Sequence, residues 1–219
     1  MDWLKMWDEK AHTDNYFTQT GRGKSFTMPE FLLYIRDVNN GLHLCKDDNL
    51  LDAGGGPGWT AFHLAPFVSK VTMFDYSHDM VRRAQERAKA FENVVIFQDD
   101  ILKMGHIGRE YNKVLVGSVL QYLDNMGQVK ASVQNIYNVM SYGGRALFAH
   151  NPDLSKKESH IASMPQTEET LLQENSRLWI DQHTLIRAAL NVGFSRCEIR
   201  PINPLIWQST HMFDFLCIK

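Results

Sequence analysis

The chain has 219 residues, 44% of them hydrophobic and 22% charged, enough for one globular domain whose core needs no covalent staples. A formal net charge of −2 leaves no basic footprint, which argues against long nucleic acid as a partner. Its three cysteines, Cys45, Cys197 and Cys217, form no Cys-x-x-Cys pair; this excludes zinc and thiol-redox motifs and predicts reduced, mostly buried thiols in a cytosolic protein.

The first residues, MDWLKMWDEK, carry charge throughout and lack the apolar core of a secretory leader. The stretch 1–45 reads as irregular helix, a cap or lid set before the main domain. Within it, Thr27 and Glu30 form a capping-box pattern, and Phe31, Leu32, Ile35 and Val38 fall on one helical face. From residue 46 onward the texture becomes strand alternating with helix. NLLDA, KVTMFDY, NVVIFQDD, YNKVLVGSVL and GGRALFAH read as strands, and the segments between them as helices, including one capped by Ser77. That rhythm predicts a doubly covered, mostly parallel sheet. The apolar run VLVGSVLQYL is too short to span a bilayer, so no membrane partner is expected. Segment 151–179 is polar and long for a connection, the length of a lid or substrate element. After a helix stopped by Gly193, two further strands imply an antiparallel pair at one edge of the sheet.

The turn after the first strand, Asp52-Ala53-Gly54-Gly55-Gly56-Pro57-Gly58, has more glycine than a strand-to-helix turn needs. No lysine follows it, which disqualifies a phosphate-binding P-loop. Trp59 stands where the dinucleotide fingerprint requires its third glycine, and Pro57 removes a backbone donor beside the pyrophosphate position. The pattern Asp-x-Gly-x-Gly-x-Gly is met in full by Asp52, Gly54, Gly56 and Gly58. Asp75 follows at the end of the second strand, about 20 residues on, where an acid accepts two hydrogen bonds from a ribose.

These motifs, in this order, resemble the class I S-adenosylmethionine-dependent methyltransferases of the small-molecule type over about residues 50–219. The resemblance implies a Rossmann-like seven-stranded sheet with an antiparallel C-terminal edge strand and S-adenosylmethionine as cofactor, leaving as S-adenosylhomocysteine. It implies that Asp52 and the glycines hold the methionine tail, Asp75 with Tyr76 the ribose, Asp100 and Ile101 the adenine (Asp99 in the alternative register), and Gly117 the fourth-strand end that faces the methyl. Tyr16 and Arg22 of the N-terminal stretch would close on the cofactor, the arginine as a fork for its carboxylate. Gln121 and Tyr122 would touch substrate. His150, at the end of the fifth strand, is the candidate general base. Asn112 replaces an acid common in the family.

Neither an Asp after the fourth strand nor a spaced histidine pair is present, so metal-independent chemistry is expected. A nucleic-acid amino-methylation motif is missing after the fourth strand. The expected reaction is methyl transfer to a small-molecule hydroxyl, as on a sugar or secondary-metabolite intermediate. Methylation of a small amine and a non-catalytic cofactor-binding subunit stand as alternatives, and a homodimer is left open.

Overall fold

Short apolar runs become the strands of one sheet: β1 (Asn49–Ala53), β2 (Lys70–Asp75), β3 (Val94–Gln98), β4 (Tyr111–Gly117), β5 (Met140–Pro152), β6 (Arg196–Pro201) and β7 (Met212–Ile218). The structure, a computed structural model, describes all residues except 14, 21–25, 105, 106 and 109, and the backbone alone of Tyr16 and Phe17. Strand order is β3-β2-β1-β4-β5-β7-β6. β1 through β5 run parallel, and β7 pairs antiparallel with both β5 and β6. The antiparallel strand therefore sits one place in from the edge, with β6 outermost. The order reverses between β1 and β4, so loops leaving their C-terminal ends diverge to opposite faces and leave a crevice between them.

Neighbouring residues of the central strands point to opposite faces, and both faces are covered. On one, Leu51, Val114, Val116 and Phe148 pack against α6 (Met126–Val139) and α9 (Gln182–Val192). On the other, Leu50, Val71, Leu115 and Leu147 pack against α3 (Met28–Leu42), α4 (Trp59–Leu64) and α5 (His78–Ala88).

Before α3 lie α1 (Trp3–Ala11) and α2 (Tyr16–Gln19). α1 rests on α5: the rings and carboxylates of His12 and Asp79 meet at 2.8 Å, the Ser77 hydroxyl donates to Asp8 at 2.6 Å, and Arg83 Nε donates to the Ala11 carbonyl at 3.0 Å. α3 begins with the anticipated capping box of Thr27 and Glu30. Its buried face is Phe31, Tyr34, Ile35 and Val38; Leu32, grouped with them by sequence, is exposed, because the apolar stripe runs through position 34 instead. Cys217 is buried and Cys197 half-buried, but Cys45 is exposed in the turn before β1.

Segment 151–179 is largely helical: α7 (Lys157–Ser163) and α8 (Glu168–Ser176), the latter capped by the Thr167 side chain with two acids in its first turn. Among the described residues no helix is long and apolar enough to cross a membrane.

Asn112 has a structural task. Its amide donates to the buried Asp48 at 2.7 Å and accepts the Asn49 N–H at 2.9 Å, stapling β4 to the start of β1. An acid here would face Asp48 with no donor between them. Asn112→Asp should destabilise the fold by about 2–3 kcal/mol, measured by denaturant unfolding at neutral pH, the range for a buried polar group left unpaired.

Candidate functional site

The glycine turn owes its path to three left-handed residues. Gly54, Gly56 and Gly58 have φ of +75°, +56° and +84°, the alternate positions of the Asp-x-Gly-x-Gly-x-Gly pattern. Both Gly54 and Gly55 donate their N–H to the Phe74 carbonyl, at 2.8 and 3.0 Å, which binds the turn to the end of β2. A Cβ on Gly54 would sit 2.4 Å from Val119 Cγ2, whereas one on Gly56 would meet nothing within 4 Å. The turn is thus packed at its start and bare in its middle.

Asp75 closes the arrangement. Its two carboxylate oxygens accept the N–H groups of Gly56, at 2.8 Å, and Ser77, at 2.9 Å. Burial pushes its carboxyl up to about 6, against the opposing pull of those backbone donors, and Asp8 adds a little in the same direction. Ser77, as anticipated, caps α5 through its hydroxyl.

Turn, strand ends and N-terminal helices enclose a cleft of about 1060 Å³, counting the space at its open mouth. Asp52, the turn glycines, Pro57 and Trp59 form its floor. One side is Asp75, Tyr76, Asp99, Asp100 and Ile101; the other is Gly117, Ser118, Val119, Tyr122 and Leu123. Trp7, Gln19 and Tyr34 come from α1, α2 and α3. Trp3 and Trp7 pack edge-on against Tyr122, with centroids 4.9 and 5.2 Å away. Gln19 is fixed by Trp59 Nε1 and Arg87 Nη2, which donate to its carbonyl oxygen at 3.3 and 3.0 Å.

Asp52, Gly54, Gly56, Asp75, Tyr76, Asp100, Ile101, Gly117 and Tyr122 are therefore brought together as the sequence anticipates. Gly58 stands just outside, as the left-handed residue that opens α4. Asp100 also accepts the Leu102 N–H at 2.9 Å and pairs with Lys103 at 3.5 Å, while Asp99 accepts the Asp100 N–H; both aspartates face the cleft. Arg22 and the side chain of Tyr16 lie outside the described residues.

Two residues go elsewhere. Gln121 is buried, its amide turned back to donate to the Ser118 carbonyl at 3.1 Å, and it does not line the cleft. His150 is buried behind Tyr34, with ring centroids 4.8 Å apart. A bulge is the cause: Ala149 and His150 together face the single Asp214 of β7, whose carboxylate accepts the His150 N–H at 2.8 Å, and His150 takes φ +57°. His150 borders a separate pocket with Asp37, Arg200 and Asp214, and among the described residues only Tyr34 borders both spaces.

Tyr34 is the site residue that sequence reasoning passed over. Its hydroxyl lies 2.8 Å from where a Cβ on Gly117 would stand, so glycine at the end of β4 is what lets the phenol reach the cleft. Its spacing to Phe31 and Val38 was the available signal.

The donor set decides what the cleft suits. Four aspartates line it, and among its described lining residues there is no lysine, arginine or histidine. A phosphate would be repelled; a ligand carrying sulfonium and ammonium charge is attracted. The bare backbone at Gly56 and the carboxylate of Asp75 suit an amino-acid tail and a diol. Among the described residues no three metal-ligating side chains converge.

Gly54→Ala should destabilise the protein by about 2–4 kcal/mol, combining left-handed strain with the Val119 clash, and Gly56→Ala by only about 1–2 kcal/mol. Denaturant midpoints of the two variants check the difference; equal losses would refute the packed-start, bare-middle description.

Residues 50–144, short of half of the chain, match the family model described as a methyltransferase domain. Nodulation protein S of Sinorhizobium fredii is 22% identical over 115 residues, 52% of this chain and 53% of that protein. The chain thus spans about half the length of that curated relative. Among solved structures, the N-methyltransferase NodS of Bradyrhizobium japonicum in complex with S-adenosyl-L-homocysteine superposes with a TM-score of 0.65 at 17% identity, covering 98% of this chain and 95% of that one. A putative methyltransferase of Haloferax volcanii, in complex with the Trm112 methyltransferase activator, gives 0.74 at 13% identity over 100% and 98%. S-adenosyl-L-homocysteine is bound in that NodS complex, and the acidic, glycine-floored cleft fits a ligand of this chemistry. In strand order, in motif and in its matched segment, the chain is similar to the class I S-adenosylmethionine-dependent methyltransferases.

Proposed function

We propose that the chain is an S-adenosylmethionine-dependent methyltransferase that acts on a small-molecule acceptor, without a metal. The observation that carries the reading is the cleft lined by four aspartates and no described cation, open at the switch point of the sheet. When bound, S-adenosylmethionine supplies a methyl group on a positively charged sulfur, already a good leaving group. The protein's part is then positioning. Asp52 and the turn Gly54–Gly56, bare at Gly56, hold the methionine tail, Asp75 accepts from the ribose hydroxyls beside Tyr76, and Asp100 with Ile101 takes the adenine. α1 and α2 (within the 1–45 cap) exclude water over the bound cofactor, and 151–179 serves as the substrate element of the main domain, 46–219. The protein works in the cytoplasm.

At the acceptor side, the Tyr34 hydroxyl beside Gly117 orients the incoming nucleophile with Tyr122. His150 acts through Tyr34, as a positioning residue rather than a base in contact with substrate, and Gln121 shapes the wall behind Tyr122. A hydroxyl acceptor, the first reading, needs a base, and a tyrosine is a poor one at neutral pH. Methylation of a small amine is the second reading. It is favoured by the absence of histidine among the described cleft residues and by the N-methyltransferase named among the similar structures. A neutral amine attacks without a base.

Labelled methyl transfer to a panel of small alcohols, sugars and amines tests both: product in the amines alone removes the hydroxyl reading, and no turnover with any acceptor favours a binding subunit. Tyr34→Phe should lower the transfer rate about 10–100-fold while S-adenosylhomocysteine affinity changes less than about twofold. His150→Ala should shift the pH profile and rate in the same direction but less; an unchanged rate and profile remove it from the mechanism.

Asp75 makes ligand affinity pH-dependent. Its carboxyl, raised to about 6, must be charged to accept both ribose hydroxyls, so acid opposes binding. Calorimetry with S-adenosylhomocysteine should show constant affinity above pH about 7 and a fall approaching tenfold per pH unit below about 6. Asp75→Asn should flatten this profile and weaken binding at neutral pH by about tenfold or more, the effect of losing hydrogen bonds to a charged acceptor. A wild-type affinity that does not change through this range would exclude the ribose role.

A further inference from the structure

A second set of buried polar groups lies beside the cleft, where α7, α8 and the turn before β7 meet. His160, Glu174, Gln208 and His211 are each more than nine-tenths buried. The two imidazoles stack, centroids 3.7 Å apart, with Trp207 4.9 Å from one and Trp179 5.6 Å from the other. Arg177 meets one oxygen of Glu174 at 3.3 Å, and Thr210 engages His211 Nδ1 at 3.0 Å.

The remaining polar atoms of this cluster are unmatched. His160 Nε2, Glu174 Oε2, Arg177 Nε, Trp207 Nε1, Gln208 Oε1 and His211 Nε2 are all buried without a hydrogen-bond partner. His160 and Glu174 approach only to 3.9 Å, too far to bond. Native proteins rarely leave such atoms unserved, and several in one place point to a missing partner.

Their chemistry selects the partner. Arg177 and Trp207 offer donors, Glu174 and Gln208 acceptors, and the imidazole nitrogens either. Burial and then Arg177 push His160 down, and burial, His160 and Arg177 push His211 down to about 3, so both rings are neutral at physiological pH. A phosphate or carboxylate only accepts, and would face Glu174. An ammonium only donates, and would face Arg177. A hydroxyl both donates and accepts, and the flat indole and imidazole faces suit the apolar face of a ring bearing several of them.

Two links join the cluster to the cleft. The Leu178 N–H donates to the Gln121 carbonyl at 2.9 Å, beside Tyr122, and Gln121 Oε1 is itself a buried acceptor without a partner. Burial and then Arg177 lower the proton affinity of Lys10, whose ammonium lies 4.8 Å from the Trp7 ring centroid, and Trp7 lines the cleft.

We propose that this cluster binds the uncharged, polyhydroxylated part of the methyl acceptor, a sugar-type ring, when α7 and α8 part from Trp207 and His211 to admit it. The proposal rests on the reading of the neighbouring cleft as the methyl-donor site.

Indole N–H resonances of the full-length protein, with and without saturating S-adenosylhomocysteine, provide the test. Trp207→Phe and Trp179→Phe assign the two signals. Titration with D-glucose should shift the Trp207 signal, while inorganic phosphate and methylammonium leave it in place. Glu174→Gln should weaken the glucose response about tenfold, the loss of a charge-assisted hydrogen bond, with S-adenosylhomocysteine affinity within about twofold of the parent. Gln208→Met, close in size, serves the same purpose should Glu174→Gln fail to fold. Trp207 unmoved by glucose up to its solubility limit, or moved by phosphate or methylammonium instead, overturns the proposal and leaves resident water as the cluster's partner. Failure of S-adenosylhomocysteine to bind would instead strike at the donor site, which the parallel titration without it keeps distinct.

Discussion

One buried carboxylate organises the glycine-turn side of the cleft. Asp75 accepts the N–H of Gly56 from the glycine turn and that of Ser77 from the head of α5, so the turn, the second strand and the following helix share a single anchor. A charge in such a place is tolerable only because donors converge on it, and even so burial holds its carboxyl near 6. The turn cannot relax toward a commoner conformation without abandoning that acceptor, and three left-handed glycines let it stay. The binding surface is thus built before any ligand arrives.

The side of the cleft at Tyr34 is governed by a bulge. Where β5 meets β7, two residues face one, and the backbone of His150 adopts a conformation uncommon outside glycine. The histidine is carried behind Tyr34, and the phenol takes the place at the cleft. Sheet geometry, rather than the residue's position at the end of a strand, decided which side chain meets the cleft.

The short apolar strand runs, the alternate glycines and the acids after successive strands were all legible because each depends on local chemistry. The Ser77 cap and the Thr27–Glu30 box were legible for the same reason. Tyr34 was not: its value comes from an absent side chain at Gly117, over 80 residues away in the chain. His150 failed because one extra residue in a ladder reverses which way a side chain points. α7 and α8 were hidden because their buried faces carry His160 and Glu174, which mimic a solvated loop when read by hydropathy. The reading failed where polar groups are buried or where fit depends on distant residues.

α1 leans across the cleft mouth through Trp7 and is fastened to α5 by Asp8, Ala11 and His12. That fastening therefore sets how wide the mouth stands. The His12–Asp79 contact is half exposed, so added salt loosens it while leaving the buried Asp75 anchor alone.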